Sequence, residues 1–166
     1  MKNNIEQTCR KRWTATPVDV PADGTCLFHS IAYDLGLQGK ELRKLVYEFI
    51  RHNPSKKLHD ASLSDWISWD MGVSVSEYTE KLKNGQWGGS IETTLLSSFL
   101  GIPIFVYSMR KKNTCFRIAE SRPDTTIEPI LKNYLKSADK NIPNFICVLY
   151  VNKSHYMFLK IRQIIK

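Results

Sequence analysis

The sequence predicts an α+β fold in which helices pack on a small sheet. Three observations carry that prediction. Apolar residues recur at helical spacing through the first two thirds of the chain, and the period changes to strand-like runs after Gly101. Two further β-rich runs around a short polar turn then close the sequence.

Taken in order, residues 1–13 read as a polar, basic lead-in and residues 14–166 as one domain. A chain of 166 residues is long enough to bury its own core. "TPVDVPADG" reads as a short strand ending in a turn, punctuated by Pro17 and Pro21. In "CLFHSIAYDLG" the residues Leu27, Ile31 and Leu35 fall four apart, a helix stopped by Gly36. "GKELRKLVYEFIRHNP" carries Leu42, Leu45, Val46, Phe49 and Ile50 as an apolar helical stripe closed by Asn53-Pro54. A third helix starts in "SVSEYTEKLKNG", where Ser74 and Glu77 have capping-box spacing and Gly85 follows the end. A fourth is "SIETTLLSSFLG", with Ile91, Leu95 and Phe99 on one face.

Beyond Gly101, "IPIFVYS" and "TCFRIA" read as strands around a basic turn from Arg110 to Asn113. "DTTIEPILKNYLKSADKNIP" reads as loop with a helical turn. "FICVLYV", the turn "NKS" and "HYMFLKIRQII" read as a β-hairpin.

Composition narrows the function classes. No apolar run is long enough to cross a bilayer, and "MKNNIEQTCRKRW" has no apolar signal region, so a reducing intracellular compartment is expected. The four cysteines, Cys9, Cys26, Cys115 and Cys147, lie far apart without a C-x-x-C pair. Cys26 and His29 lack a second ligand pair, which argues against structural zinc. The net charge of +8 gathers at Arg10-Lys11-Arg12, Lys56-Lys57 and Arg110-Lys111-Lys112. These short clusters read as solvated loops and ends, because no nucleic-acid motif accompanies them.

The chemistry concentrates at "VPADGTCLFHSIA", where an Asp-Gly turn runs into a cysteine at a helix start. Unpaired N–H groups and the dipole at a helix N-terminus favour a thiolate. The turn also presents backbone N–H groups around Gly24, Thr25 and Cys26 to a developing oxyanion, and Gly24 tolerates positive φ there. A thiolate nucleophile needs a base. His29 sits one turn along the same helix and reads as a packing residue, while His52 and His59 flank a Lys-rich loop and read as exposed. His155 starts a strand after a tight turn, at a sheet rim. On residues alone, Cys26 as a nucleophile and Cys26 as a small buried hydrophobe both stay open.

"DGTCLFHSIA" resembles the D-G-x-C-L-F nucleophile motif of the ovarian tumour (OTU) family of cysteine proteases, which remove ubiquitin from proteins. "WGGSIETTLLSSFLGIPIFVYS" resembles that family's W-G-G-x-x-E helix and following strand, and "SHYMFL" its terminal His-Tyr block. The three blocks occur in the family's order between Val20 and Leu159. The resemblance implies a papain-type fold with a small central sheet packed between helices. It also implies hydrolysis of isopeptide bonds at the C-terminus of ubiquitin, without metal or organic cofactor. Cys26 then matches the nucleophile, His155 the general base, and Asp23 an aspartate that shapes the oxyanion loop. Trp87, Gly88 and Glu92 match the middle block, with Glu92 read as scaffold. Trp87 and Tyr156 are expected to wall a slot for the narrow, glycine-ended tail.

One position departs from the pattern. The family often has Asn or Asp two residues after the histidine, and this chain has Met157, which accepts no strong hydrogen bond. Asp19, upstream of the nucleophile, is the local candidate to orient His155; a Cys–His dyad is the alternative. The implied partner is ubiquitin or polyubiquitin, or a ubiquitin-like modifier, met by a monomer in the cytoplasm (the host's, for a pathogen protein). Rival readings are a polyprotein protease, a catalytically dead ubiquitin-binding module supported by Met157, and a basic nucleic-acid-binding protein supported only by charge.

Overall fold

In the computed structural model, residues 13–110 and 114–163 are described. The expected basic lead-in therefore lies outside the described residues except for Trp13, which already belongs to a strand. Five strands form the main sheet: β1 (Trp13–Val18), β4 (Ile104–Arg110), β5 (Thr114–Ser121), β6 (Ile146–Val151) and β7 (His155–Gln163). Their order is β1-β7-β6-β4-β5; β4 and β6 run parallel and the other neighbours antiparallel. The hairpin expected at the end of the chain is β6–β7. Its turn places both Asn152 and Lys153 at positive φ, the backbone that matches the twist of two tightly joined strands.

Helices flank this sheet. The expected ones form as α1 (Cys26–Ala32), α2 (Gly39–His52), α4 (Val75–Lys83) and α5 (Ser90–Leu100). A 3-10 turn over Tyr33–Leu35 tightens the end of α1, and Gly36 closes it in the left-handed region. Ser74 caps α4 as its spacing predicts, its hydroxyl accepting the Glu77 N–H at 3.2 Å.

Two segments differ from the sequence-based expectation. The small hairpin β2 (Lys57–Leu58) with β3 (Ala61–Ser62) and the helix α3 (Leu63–Met71) were not expected. In α3 only Leu63 and Ile67 are buried, and Trp66, Trp69 and Met71 face outwards. Aromatics on the exposed side therefore blur the apolar stripe that marks a helix. The stretch read as loop with a helical turn contains α6 (Ile130–Ser137), a two-turn helix that buries Leu131 and Leu135. It lies within the chain that crosses from β4 and β5 to β6, and parallel partners such as β4 and β6 require a crossover of this kind.

Buried side chains from all six described helices share one core with Ile104, Val106, Ile146 and Val148 of the sheet. The alternate strand positions Cys147, Leu149 and Leu159 form a smaller cluster with Phe105, Tyr107 and Met157. Among the described residues, no helix is long and apolar enough to cross a membrane.

A buried acid sits inside the main core. Glu92 is 1% exposed, and its Oε2 accepts the Gly89 N–H while its Oε1 accepts the Tyr78 hydroxyl, each at 2.6 Å. The first bond is one half of a capping box at the start of α5, which glycine cannot reciprocate. Burial pushes the Glu92 carboxyl up, against the lowering effect of both hydrogen bonds. Its scaffold role thus has a physical form: it ties α4 to the loop before α5.

Glu92→Ala leaves the buried Tyr78 hydroxyl and the half-buried Gly89 N–H without acceptors and should cost about 2–4 kcal/mol in urea denaturation. Glu92→Gln, which can accept from Gly89 and donate to Tyr78, should cost less. Because the folded-state pKa lies above the unfolded value, the ionisable group's contribution is complete below the ordinary glutamate range and is lost as pH rises through the raised value. Wild type should therefore lose ground to Glu92→Gln as pH rises from the ordinary glutamate range through the raised value. Denaturation curves across that range that stay parallel for the two proteins would contradict the raised pKa.

Candidate active site

The turn before α1 is built on Asp23. Its Oδ1 accepts the Thr25 N–H at 2.9 Å, closing a side-chain turn two residues long, and its Oδ2 lies 3.1 Å from Nε2 of His29. Burial alone pushes the Asp23 carboxyl up, but the bonds from His29 and Thr25 outweigh it and leave the net below the ordinary aspartate value. His29 is therefore a partner of the loop aspartate as well as a packing residue. The pairing was missed because its six-residue separation crosses a turn and then a helical turn.

Gly24 takes φ +78°, and a Cβ there would stand 2.6 Å from the Gly85 carbonyl oxygen. Glycine is required on both counts. The next residues enter α1, where Cys26 is the first helical position and is 4% exposed. No side chain caps this helix start, so its first N–H groups are left without a side-chain acceptor. Burial raises the Cys115 thiol and pushes Cys147 up to about 12, so both stay neutral.

α1 lies across β7 and β6, and β7 begins at His155. The antiparallel register of β1 on β7 ends with Val18 opposite Phe158, which carries the next residue, Asp19, towards the start of β7. Asp19 Oδ1 there lies 3.0 Å from Nε2 of His155. This contact, with help from the Val20 N–H at 3.0 Å, holds the Asp19 carboxyl below its ordinary value. The Asp19 side chain is 78% exposed and that of His155 only 20%. Met157 turns away into the smaller sheet cluster. Asp19 and His155 are thus brought together although 136 residues separate them.

Tyr156 packs against the main core, with its ring 4.8 Å from that of Tyr150. Burial first, then Tyr150 and the neighbouring Cys26 and Glu92, pushes its phenol up to about 12. Trp87 is 56% exposed. Beside it Gly88 presses on α1, where an added Cβ would meet Leu27 at 2.7 Å. An open cavity of about 470 Å³ follows, lined by Asp70, Met71, Tyr78, Gln86, Trp87 and Glu92. His52 and His59 are exposed, as expected.

One residue of the site escaped the sequence reading. Arg43 of α2 is 5% exposed, and its guanidinium lies 4.8 Å from the centre of the Phe28 ring. Its Nη1 donates to the carbonyls of Leu82 and Gln86 at 2.6 and 2.9 Å, and its Nη2 donates to that of Gly24. Burial pulls its pKa below the ordinary value, while Asp23, Glu92 and Cys26 oppose the shift. The available signal was a charge at position 43 in helical register with Val46 and Ile50, inside an apolar stripe. Among the described residues no group of three metal-binding side chains converges.

Comparison with known proteins follows the same residues. The family model for OTU-like cysteine proteases matches residues 21–156. The chain is 32% identical to ubiquitin thioesterase otu2 of Schizosaccharomyces pombe over 98 residues, 55% of this chain and 32% of that protein. It is 34% identical to ubiquitin thioesterase OTU1 of Saccharomyces cerevisiae over 90 residues, 51% of this chain and 26% of that protein. The chain thus spans at most about a third of the length of these relatives. Among solved structures, the Hazara virus OTU bound to ubiquitin superposes with a TM-score of 0.61 at 16% identity, covering 95% of this chain and 85% of that one. The OTUD1 OTU domain gives 0.59 at 17% identity, covering 96% and 92%. With the Asp23–Cys26 turn, the W-G-G loop and His155 all inside the matched span, the chain belongs to the OTU-like cysteine proteases.

Proposed function

We propose that this chain hydrolyses isopeptide bonds at the C-terminus of ubiquitin, with Cys26 as nucleophile and His155 as general base. The observation that carries this reading is the Asp19–His155 contact at 3.0 Å at the head of the strand packed against the Cys26 helix. A ring whose Nε2–H is held by a carboxylate keeps Nδ1 free to accept a proton. Asp19 thereby takes the orienting part that Met157 cannot play. The ubiquitin substrate is supported by the relatives' names as ubiquitin thioesterases.

In the proposed reaction His155 Nδ1 takes the thiol proton of Cys26, and the sulfur attacks the carbonyl carbon of the terminal glycine. The tetrahedral oxyanion is held by backbone N–H groups of the Asp23–Cys26 loop, with Asp23 shaping the loop. His155 returns the proton to the leaving lysine amine, leaving a thioester. Water, deprotonated by His155, then attacks the thioester and frees the carboxylate and the Cys26 thiol. Trp87 and Tyr156 wall the path of the tail, and the raised phenol of Tyr156 stays neutral beside the charges that develop. The chain acts as a monomer, and its place of work is the cytoplasm.

Mass spectrometry after incubation with ubiquitin bearing a C-terminal electrophile tests the reading directly. Wild type should gain the mass of one ubiquitin, and Cys26→Ala none. Folded wild type that captures no ubiquitin would overturn the proposed substrate.

Time courses of the same capture should separate an Asp19-oriented histidine from a bare dyad. Asp19→Ala should be slower by roughly 10- to 100-fold, at the low end of what acid–base positioning contributes, because Asp19 is open to solvent. His155→Ala should be slower still. An unchanged rate in Asp19→Ala would leave a Cys26–His155 dyad.

A further inference from the structure

The geometry points to Arg43 as a positioning residue that fixes the orientation of the oxyanion loop and couples it to the W-G-G loop. This rests on the functional reading above, and it concerns a residue outside all three sequence blocks that carry the family resemblance.

The peptide that joins Gly24 to Thr25 is gripped at both ends. Its carbonyl accepts from Arg43 Nη2, and its N–H donates to Asp23 Oδ1 at 2.9 Å. In a trans peptide these two groups point in opposite directions. A cation on one side and a carboxylate on the other therefore leave the peptide plane one orientation. The following peptide carries the Cys26 N–H, a proposed oxyanion donor, and its direction is set by the plane before it. Positive φ at Gly24 makes this turn easy to reach, and equally easy to leave. Something outside the turn has to hold it.

The other half of the guanidinium reaches a different segment. Nη1 donates to Leu82 at the last turn of α4 and to Gln86 beside Trp87. The two segments also touch directly, with Gly24 against the Gly85 carbonyl and Gly88 against Leu27. One planar fork thus spans three carbonyls on two loops, which a point charge such as an ammonium cannot reproduce. Nε makes no hydrogen bond, so the group is buried incompletely satisfied. A residue serving packing alone would be better apolar at this stripe position.

The test uses Arg43→Lys and Arg43→Met in the full chain, with folding checked by circular dichroism. Amide hydrogen exchange read by mass spectrometry should show residues 22–27 and 82–89 losing protection together, with the middle of α2 unchanged. Turnover of a fluorogenic ubiquitin C-terminal substrate should fall roughly 10- to 100-fold in kcat with KM within about threefold, as expected when an oxyanion donor is misdirected. Arg43→Lys should retain more activity than Arg43→Met. Unchanged protection in the two segments, a loss spread evenly over the chain, or an unchanged kcat in a folded variant would each overturn the assignment. If wild type fails to turn the substrate over, the ubiquitin reading falls, and the exchange pattern alone decides the role of Arg43.

Discussion

The register of three antiparallel strands is the constraint on which the candidate site depends. Turn residues Asn152 and Lys153 fix β6 against β7 and make His155 the first residue of the strand, opposite Val151. The pairing of β1 on β7 then ends at Val18, so that Asp19 emerges beside the imidazole. Side chains alternate along a strand, so a slip of one residue would exchange the faces of His155 and Tyr156. The slip would also carry Phe158 away from its stack on Tyr33 at 4.8 Å and expose Leu159, which is 1% exposed. Hydrophobic burial along β7 thereby enforces a polar contact that is too open to solvent to enforce itself.

Two buried ionisable groups on either side of the Leu82–Gly89 loop perform the complementary task. Arg43 takes its carbonyls at Leu82 and Gln86, and Glu92 takes its N–H at Gly89. Burying a charge is costly unless its hydrogen bonds are met. Here Arg43 donates to Leu82 and Gln86 and Glu92 accepts from Gly89, all at backbone atoms of one segment, and neither group bonds to the other. Such an arrangement adds little net stability compared with apolar packing. What it gives is a loop with a defined shape next to the Asp23–Cys26 turn.

Legibility in the sequence follows the same division. Helices α1, α2, α4 and α5 were readable because burial and period coincide in them, as in Leu42, Val46 and Ile50. Cys26, His155 and the upstream Asp19 were singled out by the resemblance of three sequence blocks and by the departure at Met157, and the structure brings Asp19 and His155 into contact. Helix α3 was not readable, since Trp66 and Trp69 meet edge to face at its outer side instead of marking its inner face. Arg43 and the Asp23–His29 contact were hidden for a different reason. Their partners are backbone carbonyls or residues across a turn, and backbone atoms leave no trace in residue identity.

The two aspartate–histidine pairs show why contact distance alone does not assign a base. His29 lies 3.1 Å from Asp23 and His155 lies 3.0 Å from Asp19, and both histidines are largely shielded. They differ in what else holds them. His29 sits in the helix that starts at Cys26, and its ring is confined by the backbone of Gly39, where an added Cβ would stand 2.5 Å from Nδ1. Its Nε2 meets the loop aspartate, and its Nδ1 edge is packed against the backbone of α2. His155 comes from a separate strand that the Cys26 helix crosses, and its only described polar contact uses Nε2. A base has to receive a proton, release it to a leaving group and receive another from water. His29 is packed between its own helix and α2, whereas His155 stands on a separate strand with its ring held at Nε2 by Asp19, which is why the proposed mechanism runs through the more distant residue in sequence.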